Sequence, residues 1–172
     1  MARRVLLVID MLRDFLDPGG ALDCGDAARA IIPFVRDRIA AFRAAGDTVV
    51  FACDAHEPDD PEFLRFPAHC VKGTRGADIV EGLVAAGDPV IRKRRFSAFY
   101  GTDLEELLQL LAPEEVHVVG VCTNICVLYT VEELANRDFK TFVYRDGVAG
   151  FDALAHRLAL GQMEGVLGAG LL

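Results

Sequence analysis

Apolar runs and amphipathic stretches alternate along the whole chain. Val5 to Ile9 is a short uninterrupted apolar run ending at Asp10, the pattern of a strand buried on both faces of a parallel sheet. Positions 27–45 put Ile31, Phe34, Val35, Ile39 and Phe42 on one side of a helix, and Gly46 stops it. Positions 47–53 (DTVVFAC) predict a second strand. Positions 54–75 follow neither period and contain Pro58, Pro61, Pro67 and Gly73. A loop of that length inside a compact domain usually serves a function. Beyond it the pattern predicts a short helix over 77–86 and a third strand over 89–92. A helix over 102–111 follows, opened by a capping box of Thr102 and Glu105. A fourth strand falls at 115–121 (EVHVVGV), a helix at 124–137, a fifth strand at 140–144 and a last long helix from 152 to 167. Residues 168–172 supply a stub of a sixth strand.

Strand and helix alternate throughout, so the class is α/β, with a mainly parallel sheet and helices on both faces. With 172 residues and no linker, repeat or low-complexity segment, a single domain over 1–172 is expected. Asp and Glu total 26 against 18 Lys and Arg, a formal charge of -8, which is the wrong sign for a dedicated nucleic-acid binder. No apolar run reaches the roughly 18 residues of a membrane span, and the N-terminus does not read as a signal peptide. A cytoplasmic, reducing setting is therefore expected. Five cysteines at irregular spacing (Cys24, Cys53, Cys70, Cys122 and Cys126) agree with that and argue against a disulfide framework.

In open α/β sheets, ligands bind beyond the carboxyl ends of the strands. Asp10 closes the first predicted strand, Asp54 and His56 follow the second, and Lys93 follows the third. Cys122 and Cys126 follow the fourth. Taken singly, each has a plain structural reading: a buried helix cysteine, a loop-capping carboxylate, one charge of the largely solvated run Arg92 to Arg95. Their joint placement at successive strand ends favours catalysis. Cys126 is the candidate nucleophile, with a helix N-terminus and the Lys93 cation favouring its thiolate, and Asp10 the proton acceptor. Backbone N–H groups of Cys122 and Cys126, in the turn from strand to helix, suit an oxyanion hole. The Cys122 side chain reads as packing, with a Cys122–Cys126 redox pair as the lesser alternative. Cys24, Cys53 and Cys70 read as structural, His117 as a packing residue within a strand, and His156 as a solvated helix residue.

Asp54 and His56 are two apart in an extended segment and point the same way. With Glu62 and His69 in the same loop they form a set of two His and two carboxylates. That set suits one divalent ion such as Zn, Fe or Mn.

These residues occur in ordered blocks: positions 8–15 (VIDMLRDF), 54–56 (DAH), 66–74 (FPAHCVKGT), Lys93 with 96–99 (FSAF), and 120–127 (GVCTNICV). In that order they resemble the isochorismatase-like cysteine hydrolases, and within them the nicotinamidases. The resemblance implies a three-layer αβα fold around a six-stranded, Rossmann-like parallel sheet. It implies an Asp10–Lys93–Cys126 triad and a non-proline cis peptide at Val121–Cys122 beside the oxyanion hole. It also implies a metal on Asp54, His56, Glu62 and His69 that holds a pyridine nitrogen, and a homo-oligomeric assembly. Phe15 and Phe66 match positions that sandwich the substrate ring, although ordinary core packing explains Phe15 equally well. Glu62 stands where many relatives have His, and Phe66 where Trp is frequent. The reaction implied is hydrolysis of a small amide, nicotinamide first. Another amide or carbamoyl compound is the nearest alternative, and a non-catalytic metal- or ligand-binding protein the alternative of another class.

Overall fold

Alternation along β1 (Arg4–Ile9) divides its side chains between two cores. Leu6 and Val8 face one, and Val5, Leu7 and Ile9 the other. The computed structural model, which describes residues 3–172, continues with α1 (Arg13–Leu16), α2 (Asp26–Ala30), α3 (Ile32–Ala44) and β2 (Thr48–Asp54). After a long loop come β3 (Val90–Lys93), α4 (Leu104–Leu111), β4 (Glu115–Val121) and α5 (Leu128–Asn136), then β5 (Thr141–Ala149), α6 (Ala153–Gly165) and β6 (Gly170–Leu171). The six strands form one sheet in the order β3-β2-β1-β4-β5-β6, and every pairing is parallel. Val35, Ile39 and Phe42 of α3 cover one face. Leu104 and Leu108 of α4, Val131 and Leu134 of α5, and Leu160 and Met163 of α6 cover the other. This is the expected three-layer αβα class. Chain direction across the sheet reverses between β1 and β4, and the crevice at such a point is the usual ligand position.

Several boundaries differ from the sequence reading, each for a local reason. Positions 77–86 are not a helix. Ile79 pairs antiparallel with Leu12, and the Val80 N–H donates to the Met11 carbonyl at 2.9 Å, so these apolar residues pack in extended backbone. The helix expected over 27–45 breaks at Ile31, because Pro33 in the first turn of α3 has no N–H to continue the ladder. Thr102 and Glu105 do not form a capping box. Asp103 takes the cap position, Thr102 Oγ1 donates to the Ala98 carbonyl, and Glu105 pairs with Arg137 at 2.9 Å. The fifth strand runs on to Ala149 through a register shift opposite Val118 to Gly120. The sixth strand is two residues long. No helix among the described residues is long and apolar enough to cross a membrane.

One glycine fixes the close approach of the two central strands. Gly120 has φ +124°, and a Cβ there would lie 1.9 Å from the Ile9 carbonyl oxygen, which belongs to the strand ladder and cannot move aside. Gly120→Ala is expected to destabilise the fold by about 3 kcal/mol. That corresponds to a Tm lower by roughly 6–12 °C in a domain of this size, measurable by thermal melting.

Candidate active site

Four strand ends deliver the site. Asp10, next after β1, takes φ 51° and turns its carboxylate beneath the end of β2, where Oδ1 accepts the Asp54 N–H at 2.8 Å. Asp54 and Lys93 are register partners at the ends of β2 and β3. The Lys93 ammonium is fully buried and lies 2.8 Å from Asp10 Oδ2, 2.5 Å from Asp54 Oδ1 and 3.5 Å from Cys126 Sγ. Cys126 comes from a wide π-helical turn, Thr123–Val127, that joins β4 to α5. Ligand atoms of Asp10, Asp54 and Cys126 all lie within 4.8 Å of one another. The structure thus brings the three sequence-predicted triad residues together around one ammonium. The Val121–Cys122 peptide is cis, as the resemblance implied.

Charge in this cluster follows from burial and pairing. Burial, reinforced by the Asp54 carboxylate, raises Asp10 to about 6 against the opposing pull of Lys93. Burial also works against ionised Asp54, but Lys93 and His56 outweigh it and hold the carboxyl below its ordinary value. Lys93 stays a cation, because the two carboxylates outweigh its desolvation. Burial pushes the Cys126 thiol well above its ordinary value, and Lys93 pulls in the opposite direction, as its place beside the sulfur suggests. Asp10 Oδ2 makes the ion contact with Lys93 but no aligned hydrogen bond, so a lone pair is left to take a proton.

The loop after β2 carries the second cluster. Backbone bonds from His56 N–H to the Cys70 carbonyl (3.0 Å) and from Lys72 N–H to the His56 carbonyl (2.9 Å) pin its two ends side by side. Asp54 Oδ2 lies 3.6 Å from His56 Nε2 and 3.9 Å from His69 Nε2. His69 Nδ1 donates to the Pro67 carbonyl at 2.8 Å, and His56 Nδ1 lies 3.1 Å from Asp60 Oδ2. With Nδ1 occupied in both rings, both Nε2 lone pairs face the carboxylate, the arrangement of metal-ligating histidines. His56 Nε2 and Glu62 Oε2 are buried without any hydrogen-bond partner. Asp54, His56 and His69 offer three ligand atoms within 4.8 Å of one another, and Glu62 stands outside that tight set but lines the same cleft. Buried orphan acceptors are costly, and a divalent cation would satisfy them.

Both clusters open on one narrow cleft, lined among others by Asp54, Glu62, His69 and Cys126. Phe15 and Phe66 line it with Cys126, as expected, and Phe15 packs into the core as well. Phe96, Ile125, Leu22 and Phe151 also line it and were not singled out from the sequence. Nor were Asp60 and Arg95. Asp60 is buried, accepts from Arg95 Nη1 at 3.0 Å and from the Glu62 N–H at 2.9 Å, and sits at about 2, held low mainly by those bonds and by His56. Arg95 had been read within a solvated charge run. His156 is half-buried rather than solvated, with Nδ1 2.8 Å from Thr123 Oγ1. His117 packs against Phe42 and Phe142, as expected of a strand residue.

Asp60 therefore orients His56 and anchors the Glu62 backbone. Asp60→Asn keeps the shape but weakens the acceptor for His56 Nδ1–H. It is expected to lower divalent-metal affinity about 10- to 100-fold, read by competition with a chromogenic chelator, with an unchanged circular dichroism spectrum.

The sequence matches the isochorismatase domain over residues 4–170. The chain belongs to the isochorismatase family. The similarity extends over full-length structures. A crystal structure of a nicotinamidase from Bacillus subtilis is 36% identical, with a TM-score of 0.93 and 98% of each chain covered. A pyrazinamidase of Pyrococcus horikoshii in complex with zinc is 32% identical, with a TM-score of 0.93 over 99% of this chain and 98% of that one. An N-carbamoylsarcosine amidase from Thermoplasma acidophilum is 31% identical, with a TM-score of 0.89 over 98% and 95%. Members of the isochorismatase family thus share this fold while their names record different amide substrates.

Proposed function

We propose that this isochorismatase-family protein is a metal-dependent cysteine amidohydrolase that converts nicotinamide to nicotinate and ammonia. The observation that carries the reading is Lys93, shared between Asp10, Cys126 and the Asp54 carboxylate at 2.8, 3.5 and 2.5 Å, which ties the nucleophile's cluster to the metal cluster on one cleft. Asp10 takes the Sγ proton of Cys126 as the thiol attacks the carboxamide carbon, and Lys93 balances the charge that builds between them. N–H groups of Cys122 and Cys126 donate to the oxyanion of the tetrahedral intermediate. Asp10 then gives the proton to the leaving nitrogen, the C–N bond breaks and ammonia departs, leaving a thioester on Cys126. Water attacks the thioester with Asp10 as base, which releases nicotinate and restores the thiol. A divalent ion held by Asp54, His56 and His69, with Glu62 near it, would supply a Lewis-acid contact for the pyridine nitrogen. Phe15 and Phe66 would pack against the ring. The acidic chain implies neither nucleic acid nor membrane as partner, its length implies a single domain with one active site, its sequence a cytoplasmic setting, and the family resemblance a homo-oligomer.

Hydrolysis of a carbamoyl compound is the second reading, favoured by the similarity to an N-carbamoylsarcosine amidase. Ammonia release from nicotinamide and from N-carbamoylsarcosine, measured side by side on Zn-, Fe- or Mn-loaded protein, separates the two. A kcat/KM for nicotinamide at least 100-fold the higher is expected. The reverse preference establishes the second reading, and no turnover of either by folded, metal-loaded protein favours a binding role.

A further inference from the structure

We propose that Cys24 and Cys122 form a second reactive site, an oxidisable dithiol in the cleft wall that takes a hydroperoxide and closes to a disulfide, reversibly stopping turnover. The two Sγ atoms lie 3.2 Å apart and both residues are buried, at 2% and 5% exposure. Neither thiol has a role in the hydrolysis. The alternative partner of Cys122 suggested by sequence, Cys126, has its sulfur directed to Lys93 instead. A disulfide bond is about 2.05 Å long, so closure needs the sulfurs to approach by only about 1.2 Å from their present separation.

The two residues come from parts of the fold with different constraints. Cys122 follows β4, immediately before the turn that carries Cys126, and its side chain lines the cleft. Cys24 lies in the connection between α1 and α2, and its thiol also donates to the Leu22 carbonyl at 3.6 Å. Leu22 lines the same cleft. Closing the bond therefore pulls on the cleft wall at Leu22 and on the residue whose N–H is assigned to the oxyanion hole. A shift of about 1 Å at such a position is enough to cost roughly 100-fold in rate.

The chemistry balances with the peroxide as oxidant. The Cys122 sulfur, as thiolate, attacks a peroxide oxygen; the O–O bond breaks, and an alcohol or water leaves with the proton. The resulting sulfenic acid is attacked by the Cys24 sulfur, forming S–S and breaking S–O, and water departs with the Cys24 proton. Two thiols lose two protons and two electrons, and the peroxide gains them. A dithiol reductant reverses the step by exchange. The hydrogen bond to Cys24 and burial push the Cys122 thiol up, so prolonged exposure is required.

The test exposes the metal-loaded protein and its Cys126→Ala variant to hydrogen peroxide for hours. Remaining thiols are then alkylated under denaturing conditions, and unreduced peptides are mapped by mass spectrometry. A cross-linked pair holding Cys24 and Cys122, 2 Da lighter than the sum of its free peptides, is expected in both proteins and absent from Cys24→Ser. Before oxidation Cys24→Ser should turn over within twofold of the parent. After it, the parent should lose at least tenfold in kcat that dithiothreitol restores, and Cys24→Ser should lack that recoverable loss. Cys24→Ala, which keeps the wall apolar, replaces the serine variant if that variant does not fold. Separate alkylation of Cys24 and Cys122 in oxidised Cys126→Ala protein overturns the proposal, as does a Cys122–Cys126 disulfide in the parent. An equal recoverable loss in the Cys24 variants overturns the link to turnover. The peptide map does not depend on which amide is hydrolysed, so its failure is distinct from failure of the substrate assignment.

Discussion

Replacing Cys126 by alanine is expected to lower kcat by about 10⁵- to 10⁶-fold, the scale on which covalent hydrolases lose rate when the nucleophile is removed. The reason lies in how little else in the cluster can attack a carbonyl carbon. Lys93 is a buried cation held by two carboxylates and has no lone pair to offer. Asp10 is held in place by the Asp54 N–H and the Lys93 ammonium. Cys122, the nearest further cysteine in sequence, hydrogen-bonds to Cys24. The fold should survive. Cys126 contributes one sulfur to a core that also contains Val127, Val131 and Leu134, and the buried charges of Asp10, Asp54 and Lys93 keep their pairing without it. A loss near 1 kcal/mol is expected, too little to unfold a domain of ordinary stability. Single-turnover measurement with acid quench checks the step: the parent should accumulate covalent acyl protein, detectable as a mass increase, and the variant none. Turnover within 100-fold of the parent would remove Cys126 from the nucleophile's role.

The parts of this site that could be read from sequence are those where one strand end dictates one position. The run Val5 to Ile9 must be a buried strand, so Asp10 must emerge at its carboxyl end. The same reasoning placed Asp54, Lys93 and Cys122, and the structure gathers all four at one edge of the sheet. What stayed hidden depends on contacts between segments remote in sequence. Ile79 and Val80 look helical in their own window, and only the segment after β1, which pairs with both, makes them extended. Asp60 is one of several acidic loop residues, and its task becomes visible only when His56 and Arg95 close on it from two sides. Cys24 is 98 residues from the thiol it touches, and no spacing rule links the two. The setting of Cys126 is hidden for a related reason: a nearby helix terminus and a lysine are legible in sequence, but the burial that pushes its thiol up against the pull of Lys93 is a tertiary fact.

Stripping divalent metal with a chelator is expected to abolish ammonia release, by at least 100-fold, and to lower thermal stability at the same time. The two effects have one origin. His56 Nε2 and Glu62 Oε2 are buried without hydrogen-bond partners, Glu62 Oε2 having only a 3.9 Å contact with Arg95, and Asp54 Oδ2 faces both imidazole Nε2 atoms. A cation that satisfies these groups binds the folded chain and not the unfolded one, so at 100 times its dissociation constant it adds about 2.7 kcal/mol. In a domain of this length that is roughly 5–11 °C in Tm, and the shift should scale with the logarithm of free metal. The catalytic effect enters through Asp54, whose other carboxylate oxygen holds Lys93 at 2.5 Å. Without the cation, both Asp54 oxygens compete for the nearest positive charge. More of the Asp54 charge then falls on Lys93, which weakens its support of the charge that builds on Asp10 and Cys126. Loss of metal should therefore depress kcat as well as raise KM for the ring. Asp54→Asn should reproduce the kcat loss and resist rescue by added metal, whereas chelated parent protein should recover fully when Zn, Fe or Mn is returned. A stripped protein that kept its Tm and its kcat would separate the orphaned acceptors from any metal and leave the triad to act alone.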